Sequence, residues 1–575
     1  MICTARPLLP FAMSAAVLAG ALHLALAPVP ALAQSGGTGG NATTGASIGA
    51  LIEETRPADP LAAAIARYLD STPAPMLDAR FNAGAQDEAD LGVHGFYEGR
   101  LYKPLWVSDE GINPHGEKLI AAFAASRADA LDPAEYDVDE LRRMASTAAG
   151  DDDLAALEVT LSNTFVAFSD HLTSGRVQPN EVNKALNIFP RAPNPSVVLE
   201  YIESAEDFDA SLEALSPNTP NYARLKAALA DYRAKAEAGG FTPVPQGETL
   251  KPGMTDTRLD TLRKRLAEQD LFTPGSHEGD VYDGALVEAV KLFQERHGLA
   301  VDGIIGRNTL AEINVPISQR IAQMELNMER RRWMPDDLGE RYVFVNLADQ
   351  NLKVVEDDKT VHTARVVVGK PYHATPVFSD KITYAEVNPF WTVPYSIATK
   401  EYLPQLQKNP GALAAKGIRI FSGNREVDPW SVAWGSYSRG NFPFTLRQDP
   451  GQQNALGRVK FMFPNKFNIY IHDTPAKALF SRAQRSFSHG CIRAEDPFAL
   501  GGVLLSRDGW DKQKLMSVRD TDKRRVIKLK DPIPVHLTYL TAWVNKDGSV
   551  HFRRDIYDRD TVLAKAIANH RRQQL

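Results

Sequence analysis

The feature that most restricts how this chain folds is a change in hydrophobic period after Trp333. From about Asp59 to Gly240, and again through Ile317–Trp333, apolar residues fall at helical spacing. Asp152–Phe168, for instance, sets Leu154, Leu157, Val159 and Leu161 among polar residues. From Tyr342 onward they alternate, as Val343, Val345 and Leu347 do, which is the two-residue period of strands. A helical half followed by a strand-rich half excludes a single small module, and 575 residues are enough for several domains with real cores.

Breaks in the pattern divide the chain further. Gln34–Ala50 is rich in Gly, Ser, Thr and Ala and reads as a tether, so residues 34–58 are expected to be a flexible linker and 59–240 a helical scaffold. Gly239-Gly240 to Gly253, with Pro243, Pro245 and Pro252, marks a boundary. Residues 251–314 then form a compact three-helix unit. Leu259, Leu262 and Leu266 line one helix face, Asp283 caps a second helix that stops at Gly298, and a third starts near Thr309. Strands are expected at Tyr342–Leu347, Thr360–Val368 after an Asp357-Asp358 turn, Ile382–Val387, Gly417–Phe421, Val459–Phe463, Lys466–His472, Val535–Trp543 and Val550–Arg553. These give a mostly β domain over 340–545 and an extension over 546–575. Inside it, residues 395–456 carry a helical piece and Trp430, Trp434, Tyr437 and Phe442, as a lid-like insertion does.

Charge and cysteine content narrow the function. Lys and Arg number 65 against 71 Asp and Glu, for a net charge of −6, which provides no basic field for nucleic acid. Two cysteines allow neither a disulfide framework nor a zinc site of four thiolates. Residues 1–33 combine Arg6, an apolar run from Leu8 to Ala27 and Ala31-Leu32-Ala33, the three-part pattern of a cleavable secretory signal. An uncleaved inner-membrane anchor is the alternative reading. No second stretch of that apolar length follows, so no stable span is expected after cleavage. Cys3 leaves with the signal, and the exported chain keeps Cys491 alone.

Cys491 stands in Ser488-His489-Gly490-Cys491-Ile492-Arg493, ahead of a helix that Asp496-Pro497 opens. Only a thiolate attacks, and a free thiol ionises near ~8.5, so a base or a cation must help. His472 and His489 are both candidate bases. If Lys466–His472 is a strand, Tyr470 and His472 share one face. An inert buried cysteine and a metal site of His472, Asp473, His489 and Cys491 are the competing readings. The first is disfavoured by the polar neighbours, and the second fits no zinc spacing. No metal or cofactor is expected.

The segments His472-Asp473-Thr474 and Ser488–Arg493 resemble the signature of the L,D-transpeptidases of the YkuD domain family. Val368–Pro371, Thr375-Pro376, Asn388–Pro394, Gly451–Gly457 and Phe463-Pro464 extend the likeness. Residues 254–314 look like a peptidoglycan-binding domain through Tyr282-Asp283, Phe293-Gln294, His297–Leu299 and Asp302–Gly306. The mature chain as a whole is similar to the large YcbB-like members of Gram-negative bacteria. The resemblance implies a multidomain protein with a mostly-β YkuD-like catalytic domain, working in the periplasm on peptidoglycan stem peptides and glycan. It implies 3→3 cross-linking through a Cys491 thioester, with His472 as base and the Asp473 carbonyl fixing its tautomer. Gly490 and Cys491 N–H groups become oxyanion donors, and carbapenem-type β-lactams become expected inhibitors. His489 and Ser488 are expected to shape the loop. Arg493, with Arg482 and Arg485, is a candidate for stem carboxylates, and Ser488, Tyr470 and Trp391 for the substrate groove. Many family members have Gly where Asp473 stands. A stem-peptide hydrolase and a noncatalytic wall-binding scaffold remain as alternatives.

Overall fold

The computed structural model describes residues 57–71, 92–190, 192–273, 279–335 and 337–574; the signal, nearly all of the tether and Cys3 lie outside them. Among the described residues no helix is long and apolar enough to cross a membrane. Pro57 to Leu575 form one compact unit with a helical N-terminal region, a small three-helix module and a C-terminal β-rich domain.

The helical region packs around α1 (Asp151–Thr173), whose Leu154, Leu157, Leu161, Phe165 and Leu172 are buried, and whose first turn carries three aspartates at the positive end of the helix dipole. The Glu158 side chain is fully buried in this core. The Glu158 carboxylate accepts from Tyr97 Oη at 2.5 Å and from the N–H groups of Leu105, Trp106 and Val107 at 2.5, 2.8 and 3.0 Å. The last helix, α2 (Pro220–Glu237), capped by Thr219, leaves this core. Its Tyr222, Leu225, Leu229 and Tyr232 pack instead with Met324 and Met328 and with Val544 and Phe552 of the C-terminal domain.

The module holds α3 (Leu259–Ala267), α4 (Gly284–Arg296) and α5 (Arg307–Ile313) around one apolar core. Asp283 caps α4 by accepting from the Leu286 N–H at 2.9 Å, as its position predicts. The Gln294 side chain accepts from the Asp302 and Gly303 N–H groups and donates to the Ile304 carbonyl, so this part of the signature builds the turn. Helix α6 (Ile317–Arg332) leads into the β domain.

In the β domain, β1 (Arg341–Asn346), β2 (Asn351–Glu356), β3 (Lys359–Gly369) and β4 (Phe378–Val387) precede the insertion. The insertion has its own sheet in the order β5 (Trp391–Thr392), β8 (Phe444–Gln448), β6 (Ile418–Ser422), β7 (Arg425–Glu426), with helix α7 (Leu403–Lys408). Then follow β9 (Val459–Met462), β10 (Ile471–His472), β11 (Ser486–Ser488), β12 (Ile492–Ala494), α8 (Pro497–Leu504) and β13 (Arg525–Thr538). The main sheet runs β11-β3-β12-β10-β9-β4-β13-β1-β2, and β2 also pairs with β3. All but the edge strand β11 therefore close into a barrel. Val343, Val345, Leu352, Val354, Ile382, Ala385, Phe461, Ile471, Ile492 and Val535 fill its interior. Asp357 and Asp358, at φ 51° and 59°, make the two-residue turn between β2 and β3 that the sequence predicts.

Three expectations change. Lys466–His472 is a strand only at Ile471–His472. The Asn465 side chain accepts from the Phe467 and Ile469 N–H groups at 3.0 and 3.1 Å, and Asn468 turns at φ 54°, so local bonds replace the ladder. Cys491 is followed by a strand before the helix, because Ile492 and Ala494 point into the barrel. Residues 546–575 are no appendage: β15 (Val550–Phe552) pairs with β14 (Ala542–Val544), and α9 (Arg559–Gln574) buries Leu563 and Ile567 in the main core.

Candidate active site

The register of β10 against β12 builds the site. These strands are parallel, with Ile471 opposite Ile492 and His472 opposite Arg493. Ile471 and Ile492 face inward, so Tyr470, His472, Cys491 and Arg493 are left together on the outer face. Lys460 of β9 lies opposite His472 and Glu386 of β4 opposite Lys460, which continues a polar row around the barrel. Glu386 is held by Lys460 at 3.1 Å and Arg524 at 2.5 Å.

The half-buried Cys491 Sγ reaches the Asn468 carbonyl at 3.7 Å and is hydrogen-bonded by Tyr470. Burial pushes its thiol up to about 11, against the opposing pull of Tyr470, Arg493 and Lys460. Burial, with Arg493 and Lys460 adding to it, pulls His472 down to about 3, although the Asp473 and Leu456 carbonyls favour its charged form. Its Nδ1 lies 2.5 Å from the Asp473 carbonyl, which can only accept, so the neutral ring carries its hydrogen there and its lone pair on Nε2. The resting pair is thus neutral thiol and neutral imidazole. Among the described residues His472 makes no direct bond to Sγ, although catalytic bonds of this kind often tighten only with substrate present.

Asp473 does more than present a carbonyl. Its carboxylate accepts from the Arg458 and Thr474 N–H groups at 2.8 and 2.7 Å and from Lys477 Nζ at 2.6 Å, tying the end of β10 to the start of β9. Gly457, at φ 63°, makes room for it, since a Cβ there would lie 2.3 Å from Asp473 Cγ.

Residues 340–507 match the YkuD family model, described as an L,D-transpeptidase catalytic domain. The C-terminal β-rich part of the chain thus matches the L,D-transpeptidase family. Residues 255–313 match a "Putative peptidoglycan binding domain" and residues 92–229 a scaffold domain. A curated relative from Haemophilus influenzae, named "Putative L,D-transpeptidase", is 33% identical over 254 residues, 44% of this chain; the chain spans 50% of that relative's length. Solved L,D-transpeptidases from Xylanimonas cellulosilytica and Stackebrandtia nassauensis are 16% and 17% identical, covering 51% and 52% of this chain and 98% and 96% of their own. Their TM-scores of 0.17 and 0.19 are too low to define a shared fold.

Within residues 340–507 several candidate residues sit elsewhere than the sequence suggests. Ser488 is buried, donates to the Cys491 carbonyl at 2.6 Å and accepts from the Gly490 N–H at 3.1 Å, so it braces the loop and is closed to substrate. That second bond occupies the Gly490 N–H, expected as an oxyanion donor. The Cys491 N–H meets no acceptor among the described residues. Gly490 is still required for its shape, since its φ is 118° and a Cβ there would come within 3.2 Å of Ile469 Cδ1. Trp391 is buried in the insertion's own core near Tyr402, not in a groove, because β5 pairs with β8. Trp434 and Phe442 share that core, while Trp430 is exposed. Arg485 spends its guanidinium on the carbonyls of Val366, Gln350, Arg482 and Ala483, and Arg482 lies over the Phe487 ring. Only Arg493 stays beside the thiol, with its Nε buried and unpartnered.

His489 reaches outward: its Nε2 meets Glu401 Oε1 of the insertion at 2.6 Å, and its ring lies 5.1 Å from that of His373, tilted by 42°. The insertion is thereby fastened to the loop that carries Cys491. Lys460, Asn468, Thr375 and Glu401 are contributors that sequence reasoning did not place in the site. Thr375 Oγ1 accepts from the Gly369 N–H at 3.0 Å and donates to the Gly490 carbonyl at 2.8 Å. The family-like Thr375-Pro376 pair is a signal for Thr375. Nothing local in the sequence marks the other three.

Proposed function

We propose that this protein is a periplasmic L,D-transpeptidase that makes 3→3 cross-links in peptidoglycan through a Cys491 thioester. The observation that carries the reading is the grouping of Tyr470, His472, Cys491 and Arg493 on one outer face of the barrel, beside an insertion clasped to the nucleophile loop. The signal-like residues 1–33 and the match to a peptidoglycan-binding domain support the location and the wall substrate.

His472 Nε2 takes the Cys491 proton as sulfur attacks the carbonyl joining the third, diamino-acid residue of a tetrapeptide stem to its D-Ala. The oxyanion formed is stabilised by the Cys491 N–H, a contribution of about 3–4 kcal/mol for such donors, with the Arg493 charge close by. The proton returns from His472 to the departing D-Ala amine. The side-chain amine of an acceptor stem then attacks the thioester, its proton passes to His472 and on to sulfur, and the thiol is restored. Tyr470 supports the developing thiolate by hydrogen bonding, its own hydroxyl kept protonated by burial and by the Cys491 charge.

Incubation of the purified protein with tetrapeptide muropeptides is expected to give dimers joined between diamino acids and one D-Ala per link, read by mass spectrometry. Tripeptide monomers as the sole product would instead identify a hydrolase. A carbapenem is expected to add its mass to the wild-type protein.

The pH profile is a second test. A base lowered to about 3 remains unprotonated well below the usual histidine range, and a thiol raised to about 11 keeps its proton through neutrality. The kcat/KM for acylation is therefore expected to stay level from about pH 8 down to about pH 5.5, without the inflection near ~6.5 that an ordinary histidine produces. An acid limb centred near ~6.5 contradicts the proposed resting state.

A further inference from the structure

A cavity of about 340 Å³ lies against the outer face of β1 and β2, at the small end of the ~300–1,000 Å³ range of ligand sites. Around the closed barrel β1 stands four strands from β10 in either direction, so this cavity is on the wall opposite Cys491. Tyr342 and Phe344 of β1 and Trp543 of β14 give it an aromatic lining. Two arginines converge on it, Arg224 from α2 and Arg331 from α6.

The charges there are unbalanced. Among the described residues the Arg331 side chain makes no hydrogen bond or ion pair, and its Nε is buried. Arg224 bonds to the Asn221 side-chain oxygen at 2.5 Å and the Val544 carbonyl at 3.4 Å, neither of them an anion. Of the nearby acids, Asp349 is taken by Arg553 at 2.6 Å, and Asp358 sits exposed in the β2–β3 turn. Burial and the Arg224 charge pull the Arg331 guanidinium down to about 10, the direction expected of a cation that lacks its counter-ion. Asn351 lines the same cavity, and its side-chain oxygen is buried without a donor. Buried polar groups are almost always paired, so an unpaired guanidinium and an unpaired acceptor around one aromatic cavity point to a missing partner.

We propose that this cavity binds a small carboxylate carrying an aromatic or apolar body and a hydrogen-bond donor. The carboxylate sits between Arg224 and Arg331, the planar fork of a guanidinium matching its two oxygens. The apolar body packs against Tyr342, Phe344 and Trp543, and the donor meets Asn351. A ligand so placed touches α2, α6 and the barrel together, and thus ties the helical region to the catalytic domain.

The test is titration of the purified protein with N-acetyl-L-phenylalanine, which has all three groups, followed by calorimetry and by Trp fluorescence. Saturable binding is expected, with the uncharged N-acetyl-L-phenylalaninamide at least tenfold weaker. Arg331→Met is expected to weaken binding at least tenfold while leaving the ligand-free Tm unchanged or raised, because it removes an unpaired cation. Arg493→Gln is expected to bind as wild type does, which separates this cavity from the thiol site. No binding of the acid, equal binding of the amide, undiminished binding by Arg331→Met, or equal loss in Arg493→Gln each overturns the proposal. A lowered ligand-free Tm in Arg331→Met overturns it too, by making Arg331 a structural residue. Phenyl phosphate binding in place of the carboxylate overturns the assignment to that class.

Discussion

Replacing Cys491 with alanine is expected to reduce transpeptidation about 10⁴-fold or more, since loss of a covalent nucleophile leaves only binding and oxyanion stabilisation. At ~1.4 kcal/mol per tenfold that is at least about 5.5 kcal/mol of transition-state stabilisation. The same substitution removes a half-buried sulfur whose contacts are a turn carbonyl and the Tyr470 hydroxyl. The Tm should therefore shift little, and the carbapenem adduct should vanish with the activity. Dimer formation by muropeptide chromatography, intact mass and thermal melting together decide the matter. A folded variant that keeps a tenth of wild-type cross-linking refutes the assignment of Cys491 as nucleophile.

Replacing Glu158 with alanine is expected to give the largest stability loss, about 3–5 kcal/mol, far from the chemistry. The carboxylate satisfies the N–H groups of Leu105, Trp106 and Val107 and the Tyr97 hydroxyl inside the helical core. Burial raises its pKa while those four donors pull it back down, so the site is a closed polar network. Removing the acceptor strands donors that water cannot reach, whereas Glu158→Gln keeps an oxygen there and should cost less. Hydrogen exchange at residues 105–107 and a thermal melt measure the difference. Equal stabilities for the two variants would show that the acceptor is dispensable.

The helical and strand halves were legible because period alone separates them. The end of α4 at Gly298 and the paired aspartates between β2 and β3 followed from local rules of capping and turn geometry. The Lys466–His472 stretch misled because alternation continues through a segment in which Asn465 and Asn468 offer the backbone local bonds. Trp391 misled because an aromatic residue beside a signature is equally suited to the core of an insertion whose sheet is closed by β8, far along the chain. Arg485, Ser488 and the Gly490 N–H carried the right chemistry for substrate or oxyanion but are already bonded within the loop and its surroundings.

By itself the sequence determined the kind of chemistry available. One thiol remains in the chain that follows the signal-like segment, set in a Ser-His-Gly-Cys context downstream of a second histidine, in a β-rich half behind helical domains. Tertiary structure decided which groups lie together. Pairing of β10 with β12 in a single register put Tyr470 and His472 beside Cys491 and Arg493, and closure of the barrel separated Arg331 from them. Local propensities specify the elements, whereas strand register and burial bring together residues far apart in the chain, and those contacts fix the charge states of the thiol and imidazole.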